Sequence, residues 1–237
     1  MATIDTHIPA DHAQGDGHQP DLSLPPHERY HAAHHFRDSN HEFDAVKMGV
    51  WLFLSTEVLL FSGMFVAYAI FRMMYPEAFI HGSSLLNWKI GLTNTVVLLL
   101  SSYTVAAAVR AAQTGNQKWL QRHIVLTFIL GTMFLLIKVI FEYYPKWQEG
   151  KLPGQFYSYP YWVSPAEPLW WGVYWGATGI HATHVIGGMG LFLWLLIRAR
   201  KGHFGPKHYN AVEGVGLYWH IVDIVWIFLF PMLYLIH

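Results

Sequence analysis

The chain has 237 residues, of which 53% are hydrophobic, 16% aromatic and only 13% charged. This balance is too apolar for a soluble domain of this length, so it predicts a membrane protein. The formal net charge of zero gives no indication of nucleic-acid binding, and the lack of cysteine excludes disulfides, iron–sulfur clusters and thiolate copper sites within this chain.

The first 45 residues differ in kind from the rest. They are polar, rich in Asp, Pro and His, and contain no apolar run that could form the core of a signal peptide. We predict a disordered, uncleaved tail. A set of histidines in this tail could chelate a metal ion, but a solvated tail of biased composition is the favoured explanation. These histidines are His7, His12, His18, His27, His31, His34, His35 and His41.

Five apolar segments follow the tail, each close to the roughly 20 residues that span a bilayer core. The predicted fold class is therefore all-α, with residues 46–237 forming a polytopic bundle of five transmembrane helices. The fourth segment is long enough to tilt or to project into water. The segments run from Val46 to Phe71, Trp88 to Val109, Ile124 to Phe141, Leu169 to Ile197 and Val215 to Ile236.

Basic residues flank the second-to-third and the fourth-to-fifth connections more densely than the others. Because cytoplasmic loops collect Lys and Arg, we predict that both connections and the N-terminus are cytoplasmic and that the C-terminus lies outside. The loop from Tyr143 to Pro168 is dense in Tyr, Trp and Pro, which predicts an aromatic belt at the interface. The basic residues are Arg110, Lys118, Arg122, Arg198, Arg200, Lys201 and Lys207.

Ionisable residues inside the predicted spans are the main functional signal. Each costs roughly 2 to 3 kcal/mol on insertion scales, so each should face a neighbouring helix, a partner protein or a water-filled cleft. His181 and His184 lie three residues apart, and so do His220 and Asp223, which places each pair on one helical face. The first span contains Glu57, and the third ends close to Glu142.

Three explanations of these residues remain open from the residues alone. His181, His184 and His220 could ligate haem or copper, since imidazole is a common ligand of both. Together with Glu57 and Asp223 they could instead form a proton or ion path. Interhelical hydrogen bonds that fix helix packing are the favoured explanation. Close approach of helices explains the small residues of GATGIHATHVIGGMG in the fourth span.

Five stretches in order resemble subunit III of the haem-copper cytochrome c oxidases. They are GVWLFLSTEVLLFSG around Glu57, NTVVLLLSS, FEYY at Glu142, GIHATHVIGG, and YWHIVDIVWIFLF, with the acidic Glu213 preceding the last. The resemblance covers about residues 46–237 and leaves out the histidine-rich tail. Five spans are typical of the short bacterial form, which lacks the first two helices of the seven-helix form.

The resemblance implies an accessory subunit of a proton-pumping oxidase that reduces oxygen to water with electrons from cytochrome c. It implies no catalytic residue, metal or other cofactor in this chain apart from bound phospholipid. The haems and copper would lie in partner subunits, with subunit I in direct contact and subunit II in the same complex. The expected location is the bacterial inner membrane.

The resemblance also implies residue roles. Glu57 would belong to a lipid cleft near the proton uptake path of subunit I, and Arg198, Lys201 and His203 would bind a lipid headgroup. The structural intramembrane polar residues would be Glu142, His181, His184, Glu213, His220 and Asp223. Two alternatives remain: a homologous subunit of a quinol oxidase or of a nitric oxide reductase, and a free-standing haem cytochrome or proton channel.

Overall fold

Five long helices form the part of the molecule that the structure describes. The computed structural model describes residues 39–206 and 208–236. Within these ranges five helical stretches are long and apolar enough to cross a membrane, which confirms the predicted fold class and the number of spans. They are His41–Met74, Trp88–Gln113, Gln117–Gln148, Glu167–Arg200 and Asn210–Tyr234.

Shorter elements connect or interrupt these spans. A π-helical turn divides the third span, and a short helix missed by the sequence analysis follows the first span. A 3-10 turn, Gly154–Phe156, lies in the loop before the fourth span. The helices are α1 Ser39–Met74, α2 Pro76–Ser84, α3 Trp88–Gln113, α4 Gln117–Lys138, the π turn Val139–Tyr143, α5 Tyr144–Gln148, α6 Glu167–Arg200 and α7 Asn210–Tyr234.

The helix boundaries differ from the predicted ones mainly at polar ends. Helix α1 begins at Ser39 rather than Val46, and α7 begins at Asn210, so Glu213 lies inside the helix rather than before it. Helix α6 has 34 residues and is about 50 Å long, well beyond a hydrocarbon core of about 30 Å. Hydropathy detects only the part of a helix that lies in lipid. The predictions for residues 1–38 and for Lys207 lie outside the described residues.

Helices α3, α4, α6 and α7 form the packed core. Two indole N–H groups of α7 donate to hydroxyl oxygens of α3: Trp226 to Thr95 at 3.1 Å and Trp219 to Ser101 at 2.9 Å. Both indoles are buried. The stretch NTVVLLLSS therefore positions α3 through interhelical hydrogen bonds, which stabilise helix pairs in lipid.

Close approach of α6 and α7 depends on a glycine. A Cβ atom added at Gly188 would lie only 2.7 Å from a ring carbon of Trp219. The same indole packs against Phe192 of α6, with ring centroids 5.1 Å apart. The small residues of α6 thus allow a tryptophan of α7 to lie against the backbone of its neighbour.

Helix α1 lies at the edge of the core. It packs against α7 and α2. Near its two ends it makes polar contacts with α7: Lys47 forms an ion pair with Glu213 at 3.5 Å, and the Tyr68 hydroxyl donates to the Met232 carbonyl. Much of its remaining surface is apolar and exposed, as expected for a helix that meets lipid or another subunit. That surface includes Met48, Leu52, Leu59, Val66 and Met73.

Candidate functional site

An apolar groove separates α1 from α6 and α7. Its volume is about 420 Å³, and its walls include Phe53 of α1, Trp194 of α6 and Tyr218 of α7. The groove opens at the end of the bundle that carries the α3–α4 and α6–α7 turns. We call this the basic end, because Arg110, Lys118, Arg122, Arg198, Arg200 and Lys201 lie at it.

A carboxyl–imidazole pair lies about one helical turn beyond the groove. Glu57 follows Phe53 by four residues on α1, and its Oε2 lies 2.8 Å from Nε2 of His184 on α6. The two side chains are about 15% and 17% exposed, so each retains limited access to its surroundings. The Phe61 ring packs 5.0 Å from the imidazole, and the Tyr218 hydroxyl donates to the His184 carbonyl at 2.9 Å.

The hydrogen bonds of this pair fix its proton content. Nδ1 of His184 lies 2.8 Å from the carbonyl oxygen of Ile180, and a carbonyl can only accept, so Nδ1 carries a proton. The contact between Nε2 and Glu57 then requires one further proton, on either the carboxyl or the imidazole. Both arrangements give a net charge of zero. The pair is therefore electrically neutral in either form, which suits its position within a membrane span.

Of the three predicted headgroup residues, Arg198 lies beside the groove, and Lys201 and His203 follow it in the turn that ends α6. The Arg198 guanidinium lies 5.2 Å from the ring of Trp194, which lines the groove. The backbone N–H groups of Lys201 and His203 both donate to the Arg198 carbonyl. Partial burial lowers the pKa of His203, and the positive charges of Arg198 and Lys201 lower it further. The arrangement concentrates positive charge at the end of α6.

Glu142 belongs to a different, fully buried cluster. Its Oε2 accepts from Lys138 Nζ at 2.5 Å, from the Tyr174 hydroxyl at 2.7 Å and from the Tyr234 hydroxyl. The Lys138 ammonium also lies 4.9 Å from the ring centroid of Trp226. The π turn carries Glu142, so this residue lies within the third span rather than closing it. Sequence analysis missed Lys138, although its spacing of four from Glu142 is a recognisable ion-pair signal.

His220 and Asp223 of α7 both lie close to the Ser102 hydroxyl of α3. His220 Nδ1 lies 2.6 Å from the Ser102 hydroxyl of α3. Asp223 is only 3% exposed, and within the described part of the chain its carboxyl oxygens form no hydrogen bond of ordinary geometry, although the Ser102 hydroxyl lies beside them. Its neighbours along α7, Trp219 and Trp226, direct their indole N–H groups to hydroxyls of α3 instead.

His181 is likewise buried without a hydrogen bond from either ring nitrogen, counting only residues that the structure describes. Its ring lies 5.0 Å from Trp226 and 5.7 Å from Phe134, so aromatic packing takes the place of the expected polar contact. His181 and His184 thus have different neighbours despite their spacing of three residues. His181 packs in the aromatic core, and His184 contacts Glu57.

A second carboxylate cluster lies at the opposite end of the bundle and was not foreseen. Glu167 contacts His81 Nδ1 at 2.7 Å and accepts from the Tyr157 hydroxyl and the Val163 N–H, both at 2.6 Å. Partial burial and the Glu167 carboxylate raise the pKa of Tyr157. These contacts attach α2 and the aromatic loop to α6. Nothing in the local sequence pairs His81 with Glu167, because the contact spans 86 residues.

Within residues 39–206 and 208–236, no group of three or more His, Asp or Glu side chains is arranged to hold a metal ion. The three histidines considered as haem or copper ligands have separate neighbours: Trp226 for His181, Glu57 for His184 and Ser102 for His220.

Comparison with known proteins gives the family. The family described as cytochrome c oxidase subunit III matches residues 29–237. The chain belongs to the cytochrome c oxidase subunit III family. It is therefore a multi-pass membrane protein and an accessory subunit of an oxidoreductase complex, as the resemblance of its motifs predicted.

Individual members of the subunit III family are similar over most of this chain. A probable cytochrome c oxidase subunit 3 of Nocardia farcinica is 34% identical over 191 residues, covering 81% of this chain and 88% of that protein. A Mycobacterium tuberculosis relative of the same description is also 34% identical, with the same coverage. Cytochrome c oxidase subunit 3 of Papio hamadryas is 31% identical over 80% of this chain and 69% of its own length.

Proposed function

We propose that this chain is the non-catalytic subunit III of a proton-pumping cytochrome c oxidase and that it lies directly against subunit I, with subunit II in the same complex. Haem and copper belong to those partners. The role of this chain is to hold structural phospholipid and to support proton uptake into subunit I during sustained turnover. The observation that carries the proposal is the apolar groove that lies between a basic mouth and a neutral Glu57–His184 pair.

The groove matches the chemistry of a phospholipid. Its walls are mainly apolar and suit an acyl chain, whereas Arg198, Lys201 and His203 supply positive charge at the level of a headgroup. Basic side chains near a membrane surface attract anionic lipid with about 1 kcal/mol each. The headgroup would lie at the mouth, with the acyl chains directed toward the middle of the membrane.

The Glu57–His184 pair has a supporting role in this proposal. It joins α1 to α6 near the inner end of the groove, and its single shared proton lets two ionisable groups lie in the membrane without net charge. Its contribution to proton uptake is indirect: it keeps α1 and the bound lipid in place beside subunit I.

The orientation follows from the distribution of basic residues. The basic end faces the cytoplasm, which places the N-terminus inside and the C-terminus outside the bacterial inner membrane.

Removal of the chain tests the function. An oxidase complex isolated from cells that lack this chain should keep its haem and copper and a near-normal initial rate of oxygen reduction, then lose activity faster than the complete complex. Metal analysis, the visible spectrum and long oxygen-consumption traces measure this. A haem Soret band in the isolated chain, or loss of haem in proportion to loss of the chain, would contradict a non-catalytic role.

Charge removal at the mouth tests the lipid site. The triple variant R198Q/K201Q/H203Q should retain less anionic phospholipid in the purified complex, as measured by mass spectrometry of extracted lipid. Arg110→Gln provides a control, because it removes a charge from the basic end outside the groove. Equal lipid content in the triple variant and the parent would refute the assignment.

His203 should make this binding pH-dependent. Because burial and the charges of Arg198 and Lys201 hold its pKa below the usual value for histidine, His203 is neutral at pH 7 and gains a positive charge as the pH falls through that lowered pKa. A bound phosphate stabilises the charged form. Binding of anionic lipid should therefore strengthen as the pH falls from 7 toward 5. His203→Gln should reduce this dependence while Arg198 and Lys201 still provide binding at pH 7.

A further inference from the structure

A second groove lies between α4 and α6 at the basic end, on a different side of the bundle from the groove at α1. Its volume is about 430 Å³. We propose that this α4–α6 groove binds a second phospholipid with an anionic headgroup. The residues that line it are Gln121, Arg122, Val125, Leu126, Ile129, Leu196 and Arg200.

The groove has a charged end and an apolar end. On α4, Arg122, Val125 and Ile129 recur at a spacing of three and four, so they lie on one helical face. On α6, Leu196 lies one turn before Arg200, which ends the helix. Both arginines are therefore at the basic end, and the apolar side chains extend from them toward the middle of the membrane.

A hydrogen bond fixes the two walls relative to one another. The Gln121 amide donates to the Ala199 carbonyl at 3.1 Å, a second hydrogen bond to an oxygen at the end of α6 that also accepts from the Gly202 N–H. Ile124 and Leu195, the neighbours of the lining residues, are buried in the core. The groove is thus bounded by packed helices rather than by a loop.

The positive charge in the groove is not neutralised by the lining residues, none of which is acidic. The Arg122 guanidinium lies 5.5 Å from the ring of Trp119, and within the described ranges neither Arg122 nor Arg200 forms an ion pair with a carboxylate. Guanidinium groups bind phosphate through two parallel N–H bonds, which makes arginine well suited to a phosphodiester.

The apolar end of the groove determines which phosphate compound fits. A soluble phosphate would contact only the two arginines and would leave Val125, Leu126 and Ile129 exposed. An acyl chain covers those side chains while its headgroup meets the arginines, and each methylene removed from water favours binding. A packed helix of another subunit would need acidic side chains at the level of the arginines. The combination favours a lipid.

The test compares two charge-matched variants of the complete oxidase complex. R122Q/R200Q removes both charges from the groove, and R110Q/K118Q removes two charges from the basic end outside it. After detergent washing, the anionic phospholipid retained per complex is counted by mass spectrometry. We expect R122Q/R200Q to lose about one anionic lipid per copy, and R110Q/K118Q to retain the parental number.

A second variant tests the apolar end. Leu126 is 44% exposed, so Leu126→Trp fills the groove without disturbing the core. This variant should also lose the lipid, and phosphatidylglycerol vesicles should restore the lost lipid to washed parent complex but not to Leu126→Trp. The proposal would be overturned if excess inorganic phosphate displaced the anionic lipid while Leu126→Trp retained all of it. That result would show a phosphate site that does not need the apolar end of the groove. Loss of another protein subunit, rather than lipid, from R122Q/R200Q would also overturn the proposal. Neither R122Q/R200Q nor Leu126→Trp should change the lipid bound at the α1 groove. Loss of lipid from the α4–α6 groove can therefore be distinguished from a failure of the proposed function.

Discussion

Replacing Lys138 by Met is expected to destabilise the subunit by about 3 to 5 kcal/mol and to prevent its incorporation into the oxidase complex. Lys138 and Glu142 are only 2% and 1% exposed, and the ammonium is the cation that neutralises the carboxylate. Removing it leaves a buried negative charge that the Tyr174 and Tyr234 hydroxyls and the more distant Lys146 ammonium must stabilise. The measurement is the amount of this chain that copurifies with the complex, together with its thermal unfolding temperature.

The double variant K138M/E142Q separates charge from packing. Glutamine keeps an oxygen that can accept from both tyrosines, but it carries no charge, so the double variant should recover most of the assembly that Lys138→Met loses. Lys118→Met is a control for loss of a lysine at an exposed position. Normal assembly and an unchanged unfolding temperature in Lys138→Met would show that Glu142 does not need its cation.

Replacing Glu57 by Leu is expected to shorten the active life of the complex during turnover while leaving the initial rate of oxygen reduction near normal. Leucine removes the partner of His184 Nε2, and a poorly solvated ring nitrogen without a hydrogen bond costs about 1 to 3 kcal/mol. The contact that holds α1 to α6 is then lost, and lipid retention in the groove should fall. Long oxygen-consumption traces and lipid analysis of the same preparation measure both effects.

Glu57→Gln tests whether this residue must carry a proton. The glutamine amide can donate to His184 Nε2 while Nδ1 keeps its bond to Ile180, so we expect normal assembly, lipid content and proton release. The double variant E57L/H184L, which leaves neither polar group in the membrane, should be more stable than Glu57→Leu alone. Immediate and complete loss of pumping in Glu57→Gln would instead make the carboxyl an obligatory proton carrier.

The sequence predicts the spans well because each is a continuous apolar run, and hydropathy reports what lies in lipid. The sequence also shows that Arg198, Lys201 and His203 must be neighbours, because they are close in the chain and their backbones meet at the end of one helix. Contacts between residues that are far apart in the chain cannot be predicted in this way. The contact between Glu57 and His184 joins residues 127 positions apart, and only the packing of α1 on the core brings them together.

Two further features of the buried polar groups could not be read from the sequence. The π turn adds a residue to one helical turn, which changes the direction of the side chains that follow and brings Glu142 into the interior. The equal spacings of His181 with His184 and of His220 with Asp223 predict shared faces but not which member finds a partner. That depends on side chains of other helices, such as Glu57 of α1 for His184 and Ser102 of α3 for His220.

The attachment of α1 bears on how quickly lipid exchanges. The Lys47–Glu213 ion pair, the Glu57–His184 pair and the Tyr68–Met232 hydrogen bond hold this helix at three successive depths of the membrane. The groove lies between the Lys47–Glu213 and Glu57–His184 contacts. While both contacts are intact, α1 can move away from α6 and α7 only between them. The residence time of a lipid in the groove is therefore governed by the breaking of one polar contact rather than by departure of the whole helix. A variant that loses one of these contacts can speed lipid exchange without weakening equilibrium binding to the same extent.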